Sequence, residues 1–178
     1  MRPLETFMRP SRLWIYRLIT ALLPETRFFG LKVRLLRWCG AQIGSNVRIN
    51  SSARFAGNGQ LIIGDDVWIG PGNLLSAVGS ATLSIGSHCD LAPQVTLLTG
   101  THMVGGGITK HMAGPGCARS VSIGDGCWLC ARALILPGVS LAEQTIVAAG
   151  AVVTTSCAEP RVLLAGTPAK IAKRYPAS

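Results

Sequence analysis

The sequence predicts an all-β solenoid: a parallel β-helix of about five coils with a triangular cross-section, preceded by a short N-terminal helical segment. Three observations predict it. First, an apolar anchor recurs at every sixth position within groups of three: Ile43, Ile49, Phe55; Ile63, Ile69, Leu75; Ile85, Leu91, Leu97; Ile123, Leu129, Ile135; Leu141, Val147, Val153. Six residues cannot bury an apolar face alone, but stacked copies share one core, so this period implies an array. Second, a small or β-branched residue stands four places after twelve of the fifteen anchors (Val47, Ala53, Val67, Cys89, Val95, Thr101, Cys127, Ala133, Val139, Thr145, Ala151, Cys157), the exceptions being Gly59, Asn73 and Gly79. Third, extra residues enter only after the third member of a group, two after Phe55, four after Leu75 and twenty after Leu97. If three hexapeptides make one turn, every insertion leaves from the same corner.

Composition sets the outer bounds. A chain of 178 residues has room for one ordinary domain, and 48% hydrophobic against 14% charged residues is far from the balance that keeps chains disordered. Lys and Arg number 17 against 8 Asp and Glu, a net of +9. That excess is local: residues 1–40 carry a net +6, residues 41–169 are neutral and residues 170–178 add +3. The chain therefore divides into a basic amphipathic helical cap (1–40), a solenoid (41–169) with a Gly-rich loop at 103–120, and a basic C-terminal tail (170–178). No basic stripe with interleaved aromatics crosses the solenoid, so nucleic acid is not an expected partner.

In chain order, Ser11 is placed to cap a first helix that Pro24 ends, and Thr26 to cap a second running to about Trp38, with Gly40 just past its end. In the second helix Phe28, Leu31, Leu35 and Trp38 share one face. Two readings stand for residues 1–40: a lid over the open first coil, whose strand edges would otherwise be unpaired, or a basic amphipathic surface lying on anionic lipid. The apolar stretch 13–23 is broken by Arg17 and falls short of the roughly 18 to 20 residues a spanning helix needs. It also lacks the pattern of a secretory signal. The expected location is the cytoplasm, with peripheral contact at the inner face of the membrane left open, and the six cysteines are read as reduced thiols.

Cys89, Cys127 and Cys157 fall at inward small positions, and Cys130 at the small site after an anchor, so the Cys127/Cys130 CxxC spacing is packing rather than redox chemistry. Cys117 lies in the long loop, where an acyl-cysteine route is conceivable, and Cys39 ends a helix. Of the three histidines, His88 occupies a solvent-facing corner and His111 the long loop. His102 closes Leu97-Leu98-Thr99-Gly100-Thr101-His102, where a packed strand gives way to the insertion.

The stretches Ile123-Gly124-Asp125-Gly126-Cys127-Trp128-Leu129, Ile135-Leu136-Pro137-Gly138-Val139 and Ala165-Gly166-Thr167-Pro168-Ala169-Lys170 resemble the hexapeptide-repeat acyltransferases. The resemblance covers about residues 41–174 and lies in the branch of the maltose and galactoside O-acetyltransferases and the surface-polysaccharide acetyltransferases of the colanic acid and O-antigen type. It implies a left-handed parallel β-helix, against the usual right-handed crossover. It also implies a homotrimer with active sites between subunits, and transfer of an acetyl group from acetyl-CoA to a hydroxyl of a sugar or polysaccharide precursor. By the same resemblance His102, seventeen residues beyond Ile85, is the general base. Ala131, Ala149 and Thr154 match residues lining the CoA channel, and Lys170 and Lys173 match cations near the CoA phosphates. No metal ligands are implied. The chain departs from the pattern in three places. Thr155 stands where a Lys is usual, Ser80 where an acceptor-gripping Asp stands, and Asn73 only approximates the accompanying Asn. Other readings of the same solenoid are serine or amino-sugar N-acetyltransfer, a γ-class carbonic anhydrase-like zinc enzyme and a non-catalytic scaffold.

Overall fold

Each hexapeptide folds as a strand of two to four residues followed by a corner, and the corner chemistry explains the repeat. The computed structural model describes residues 6–104 and 111–176. At the first corner of successive coils the residue in the left-handed region is Asn46, Asp66, His88, Gly126 and Gln144, with φ between 50° and 66°. Asn, Asp and Gly tolerate that region best, and here their side chains ladder as well: Asn46 Nδ2 donates to Asp66 Oδ1 at 2.7 Å. At the third corner Gly57 has φ 93°, and a Cβ there would collide with the Ala77 carbonyl.

Three parallel sheets form the prism. The first stacks Gln42–Ile43, Gln60–Ile63, Thr82–Ile85, Val121–Ile123 and Ser140–Leu141; the third stacks Arg54–Ala56, Leu74–Ser76, Thr96–Leu98, Leu134–Ile135 and Val152–Val153. The second stacks Arg48–Ile49, Trp68–Ile69, Asp90–Leu91, Trp128–Leu129 and Ile146–Val147, and a final hairpin of Val162–Gly166 and Ala169–Arg174 extends it. Anchors pair with anchors from coil to coil, as in Ile43 with Ile63, Ile63 with Ile85 and Ile85 with Ile123. All fifteen are buried, so a one-residue slip in any coil would turn its apolar set outward; the core fixes the register. Of the expected inward small residues, Thr101 and Cys157 are only half-buried. Asn73, an exception to the small-residue rule, is fully buried because its amide replaces the missing packing with hydrogen bonds to Leu91 O and from Val95 N.

The helices differ from expectation at their ends. Helix α1 spans Pro10–Ala21 and α2 spans Phe29–Trp38, with no side-chain cap on either. Pro10 takes the first helical position, where its preset φ and missing N–H do no harm, so Ser11 lies inside α1. Phe28, in the left-handed region, starts α2, which puts Thr26 outside it. The face of α2 also differs. Lys32, Val33 and Leu36 turn inward while Phe28, Leu31 and Trp38 stay exposed. The reason is polar: the Lys32 ammonium donates to the carbonyls of Pro24, Glu25 and Ile49 at 3.2, 2.7 and 3.1 Å, matching its three donors to three acceptors. Helix α1 packs Leu13, Tyr16 and Thr20 inward, with Tyr16 edge-on to Phe55 at 5.7 Å, and Met8 N donates to Gly59 O at 3.0 Å. Residues 6–40 thus close the first coil.

Residues 103–120, read as a Gly-rich loop, include a β-hairpin: Gly100–Val104 pairs antiparallel with Ala113–Ala118. Residues 105–110 of that segment lie outside the described residues, as do 1–5 and 177–178. Residues 170–174, read as the start of a basic tail, belong to the strand Ala169–Arg174, which pairs with Val162–Gly166.

Candidate active site

The third corner carries all of the insertions, and they converge. Thr99, fully buried, fixes the exit: its N–H donates to Ser76 O at 3.0 Å, its Oγ1 accepts from Val78 N at 2.9 Å, and its carbonyl accepts from Arg119 N at 2.8 Å. One residue therefore ties the insertion of the second coil to both strands of the hairpin from the third. Between them lies an open cavity of about 520 Å³, walled by Val78, Gly79 and Ser80 on one side and by Gly100, Thr101, His102, Gly116, Cys117 and Ala118 on the other.

His102 sits opposite Gly116 in the hairpin register, and its Nδ1 is 2.9 Å from Gly114 O. A carbonyl only accepts, so Nδ1 carries a proton, and in the neutral imidazole the lone pair is then on Nε2. The side chain is exposed at the cavity, where Nε2 can take a proton from a hydroxyl. Sequence reasoning named His102, Cys117 as a loop thiol and, by resemblance, Ser80 as an acceptor-side position, but not that they line one cavity. Cys117 lies opposite Thr101, and Val78 and Gly79 were legible only as part of an insertion at the shared corner. Ser80 is exposed in the cavity, whereas Asn73 is buried with its amide already bonded to backbone. Fully buried, it presents no amide atom to the cavity.

The other candidates lie elsewhere. Thr154 and Lys170 line one cavity of about 390 Å³ together with Thr155 and Ser156. Thr154 follows Val153, which is in register with Ile135 and through it with Leu97, so it lies two strand spacings, about 10 Å, above the start of the His102 hairpin. Ala131 and Ala149 stack at the second corner, where Gly150 N donates to Ala131 O at 2.9 Å; they sit at the far edge of the third sheet from His102. Lys173 rests over the Tyr175 ring at 4.8 Å and is not in the Lys170 cavity. Arg174 is paired with Glu159 at 2.6 Å.

His88 belongs to the corner ladder, 3.2 Å from Asp66, and His111 is exposed and outside the His102 cavity lining. Among the described residues no group of three or more His, Cys, Asp or Glu side chains is gathered as metal ligands. Cys127 is buried, its Sγ 3.2 Å from Ala142 O, and burial pushes the Cys130 thiol up. Cys130 is therefore not set up as a thiolate; the Cys127 thiol is drawn down by its hydrogen bond with Cys89, whose own thiol is pushed up, but Cys127 is buried in the solenoid and outside the His102 cavity.

Comparison with known proteins places this geometry. A family described as hexapeptide repeat of succinyl-transferase matches residues 120–155. WcaF of Escherichia coli (strain K12), assigned as a colanic acid biosynthesis acetyltransferase, is 33% identical over 137 residues, 77% of this chain and 71% of that protein. The chain belongs to the hexapeptide-repeat acetyltransferases. Within that family the galactoside O-acetyltransferase of Escherichia coli (strain K12) is 27% identical over 137 residues, 77% of this chain and 65% of that protein. The hexapeptide-repeat acetyltransferase VCA0836 of Vibrio cholerae, solved with acetyl coenzyme A, superposes with a TM-score of 0.63 at 20% identity, over 93% of this chain and 86% of that one. This acetyltransferase therefore has the left-handed β-helix of its relatives, and no helix among its described residues is long and apolar enough to cross a membrane.

Proposed function

We propose that this acetyltransferase transfers the acetyl group of acetyl-CoA to a hydroxyl of a surface-polysaccharide precursor, with His102 as general base. The observation that carries the proposal is the Nδ1 contact to Gly114 O, which in the neutral imidazole leaves the lone pair on Nε2 of a side chain that lines the cavity. Nε2 takes the acceptor hydroxyl's proton as that oxygen bonds to the thioester carbonyl carbon. The C–S bond then breaks, and the imidazolium returns the proton to the departing CoA thiolate. An O-acetyl ester and free CoA are the products.

Lys170, Thr154 and Thr155, gathered in one cavity two strand spacings from the hairpin base, would hold the polar end of CoA, with Lys173 beside them, while Ala131 and Ala149 offer small side chains along which a pantetheine arm can lie. These two alanines and His102 occupy opposite edges of the third sheet. Association as a homotrimer, with each site between neighbours, would bring one protomer's hairpin against the next one's alanine edge. The acceptor is read as a precursor rather than a small free sugar because Asn73 is buried away from the cavity and Ser80 offers a hydroxyl in place of a carboxylate. Its expected place of work is the cytoplasm.

The test is CoA release from acetyl-CoA across polysaccharide precursors, serine and nucleotide-linked amino sugars. His102→Ala should lower kcat by about 10²–10⁴ with an unchanged melting curve. A variant retaining near-normal turnover would remove His102 from the mechanism, and release only with amines would replace O- with N-acetylation.

A further inference from the structure

We propose that the outer surface of residues 6–40 is a seat for an anionic lipid bilayer, on which α1 lies flat. The first observation is how α1 divides its residues. At 100° per residue, Leu13, Tyr16 and Thr20 point into the protein, while Trp14, Ile15, Leu18 and Leu22 point the opposite way. These four are 64%, 40%, 50% and 87% exposed. A surface helix of a globular protein carries polar residues on that side; this one, beyond Ser11 in its first turn, is apolar there as well. Arg12 and Arg17 fall on the two borders between the faces. That arrangement, an exposed apolar stripe with arginines along its margins, is that of a helix lying in a lipid interface.

The second observation is charge. Residues 6–40 hold Arg9, Arg12, Arg17, Arg27, Arg34 and Arg37 besides buried Lys32, against Glu25 as the one acid. The three ion pairs among the described residues all lie elsewhere, at Arg48, His88 and Arg174. Arg12 stacks 4.7 Å over Trp38, so the exposed side of α2, with Leu31 and Trp38, adjoins one margin of the α1 stripe. Apolar area and unneutralised cations thus share one surface, at the end of the solenoid that α1 and α2 close.

Charge decides the occupant. A second copy docked through the same patch would set arginines against arginines with only Glu25 to offset them, and docked on the neutral solenoid it would desolvate them without partners. An anionic bilayer takes the apolar stripe into its acyl boundary and leaves Arg12 and Arg17, on its margins, at phosphate level, whereas Arg37 is turned to the carbonyls of Ile43 and Gly44. The α1 layer, about 10 Å thick, and two strand spacings, roughly another 10 Å, would then separate the bilayer from the third coil that launches the His102 hairpin. That places the cavity within reach of a sugar carried on a lipid. This last consequence rests on the proposed function; the bilayer contact does not.

Vesicle flotation tests it with the full chain, using vesicles of about 70% phosphatidylcholine and 30% phosphatidylglycerol beside pure phosphatidylcholine. The protein should float with the anionic vesicles at low salt and be released at high salt as the charges are screened. Arg17→Glu with Arg27→Glu should lower partitioning by at least about 30-fold, and Leu18→Ser with Leu22→Ser should abolish it, both without changing far-ultraviolet dichroism or the mass by light scattering. Failure of the wild type to float, or flotation of both double variants like wild type, would overturn the proposal. So would a lower mass in the leucine variant, which would make this face a contact between copies. None of these readouts depends on turnover, so they stand or fall apart from the acyl transfer.

Discussion

Cys39 and Lys32 show how single residues of the cap respond to burial in opposite senses. Cys39 is fully buried, and its thiol is pushed up to about 11 by burial, against the pull of Arg12. Lys32 is lowered from the ordinary lysine value, first by burial and with Glu25 opposing. For Cys39 the folded value lies above the unfolded one. Its contribution to stability is therefore intact below the ordinary 9.0 and is lost as pH rises to about 11. For Lys32 the unfolded chain binds the extra proton, so stability from that residue rises with pH as the unfolded value is approached. Tyr16, raised by burial, acts in the same sense as Cys39. The cysteine effect can be isolated. Between about pH 8 and pH 11 the wild type should lose roughly 2 kcal/mol more stability than Cys39→Ala, measured as urea midpoints at each pH. Equal losses in the two proteins would show that the thiol does not carry the alkaline sensitivity.

At the scale of elements, legibility followed from what kind of interaction sets each one. The hexapeptide strands were readable because a single apolar anchor per strand decides them; each of Ile43 to Val153 in that series is buried where the period put it. Helix ends were not, because Pro10 and a left-handed Phe28 set them rather than Ser11 and Thr26, and a cap motif in sequence does not say whether its hydroxyl will be used. The inward face of α2 was hidden for a related reason: Lys32 is drawn in by three carbonyls that exist only once the first coil is folded. The hairpin of Gly100–Val104 and Ala113–Ala118 was equally invisible, since its pairing carries no period. Its part in the site can be separated from its part in the fold. Replacing residues 104–114 by an Asn-Gly turn keeps His102 but removes the Gly114 carbonyl. The melting temperature should stay within about 2 °C, because the prism core is untouched. kcat should fall roughly 100-fold, with KM for acetyl-CoA little changed, as expected when a base loses the contact that fixes its tautomer. Full activity in the shortened protein would separate Gly114 from catalysis.

Over the whole molecule, the net charge of +9 resolves into two ends with different chemistry. The N-terminal end mixes its arginines with exposed apolar side chains, and the C-terminal end places Lys170 in a cavity with Thr154 and Thr155. Between them the neutral solenoid holds the His102 hairpin at mid-length, so the two proposals assign different ends: a surface to one and a soluble, polyphosphorylated donor to the other. The C-terminal charge is less than its count of three suggests. Arg174 is neutralised by Glu159 at 2.6 Å, and Lys173 lies over the Tyr175 ring. On the proposed function, Lys170 is then the cation left to meet a CoA phosphate, with no Lys at position 155 to share the contact. Lys170→Glu should raise KM for acetyl-CoA about tenfold, the loss of one charged hydrogen bond of roughly 1.4 kcal/mol, and leave KM for the acceptor near its original value. Lys173→Glu should raise it less. Initial rates with each substrate varied in turn measure both, and a larger effect at Lys173, or an acceptor KM that rises in step, would move the donor phosphates away from the Thr154 cavity.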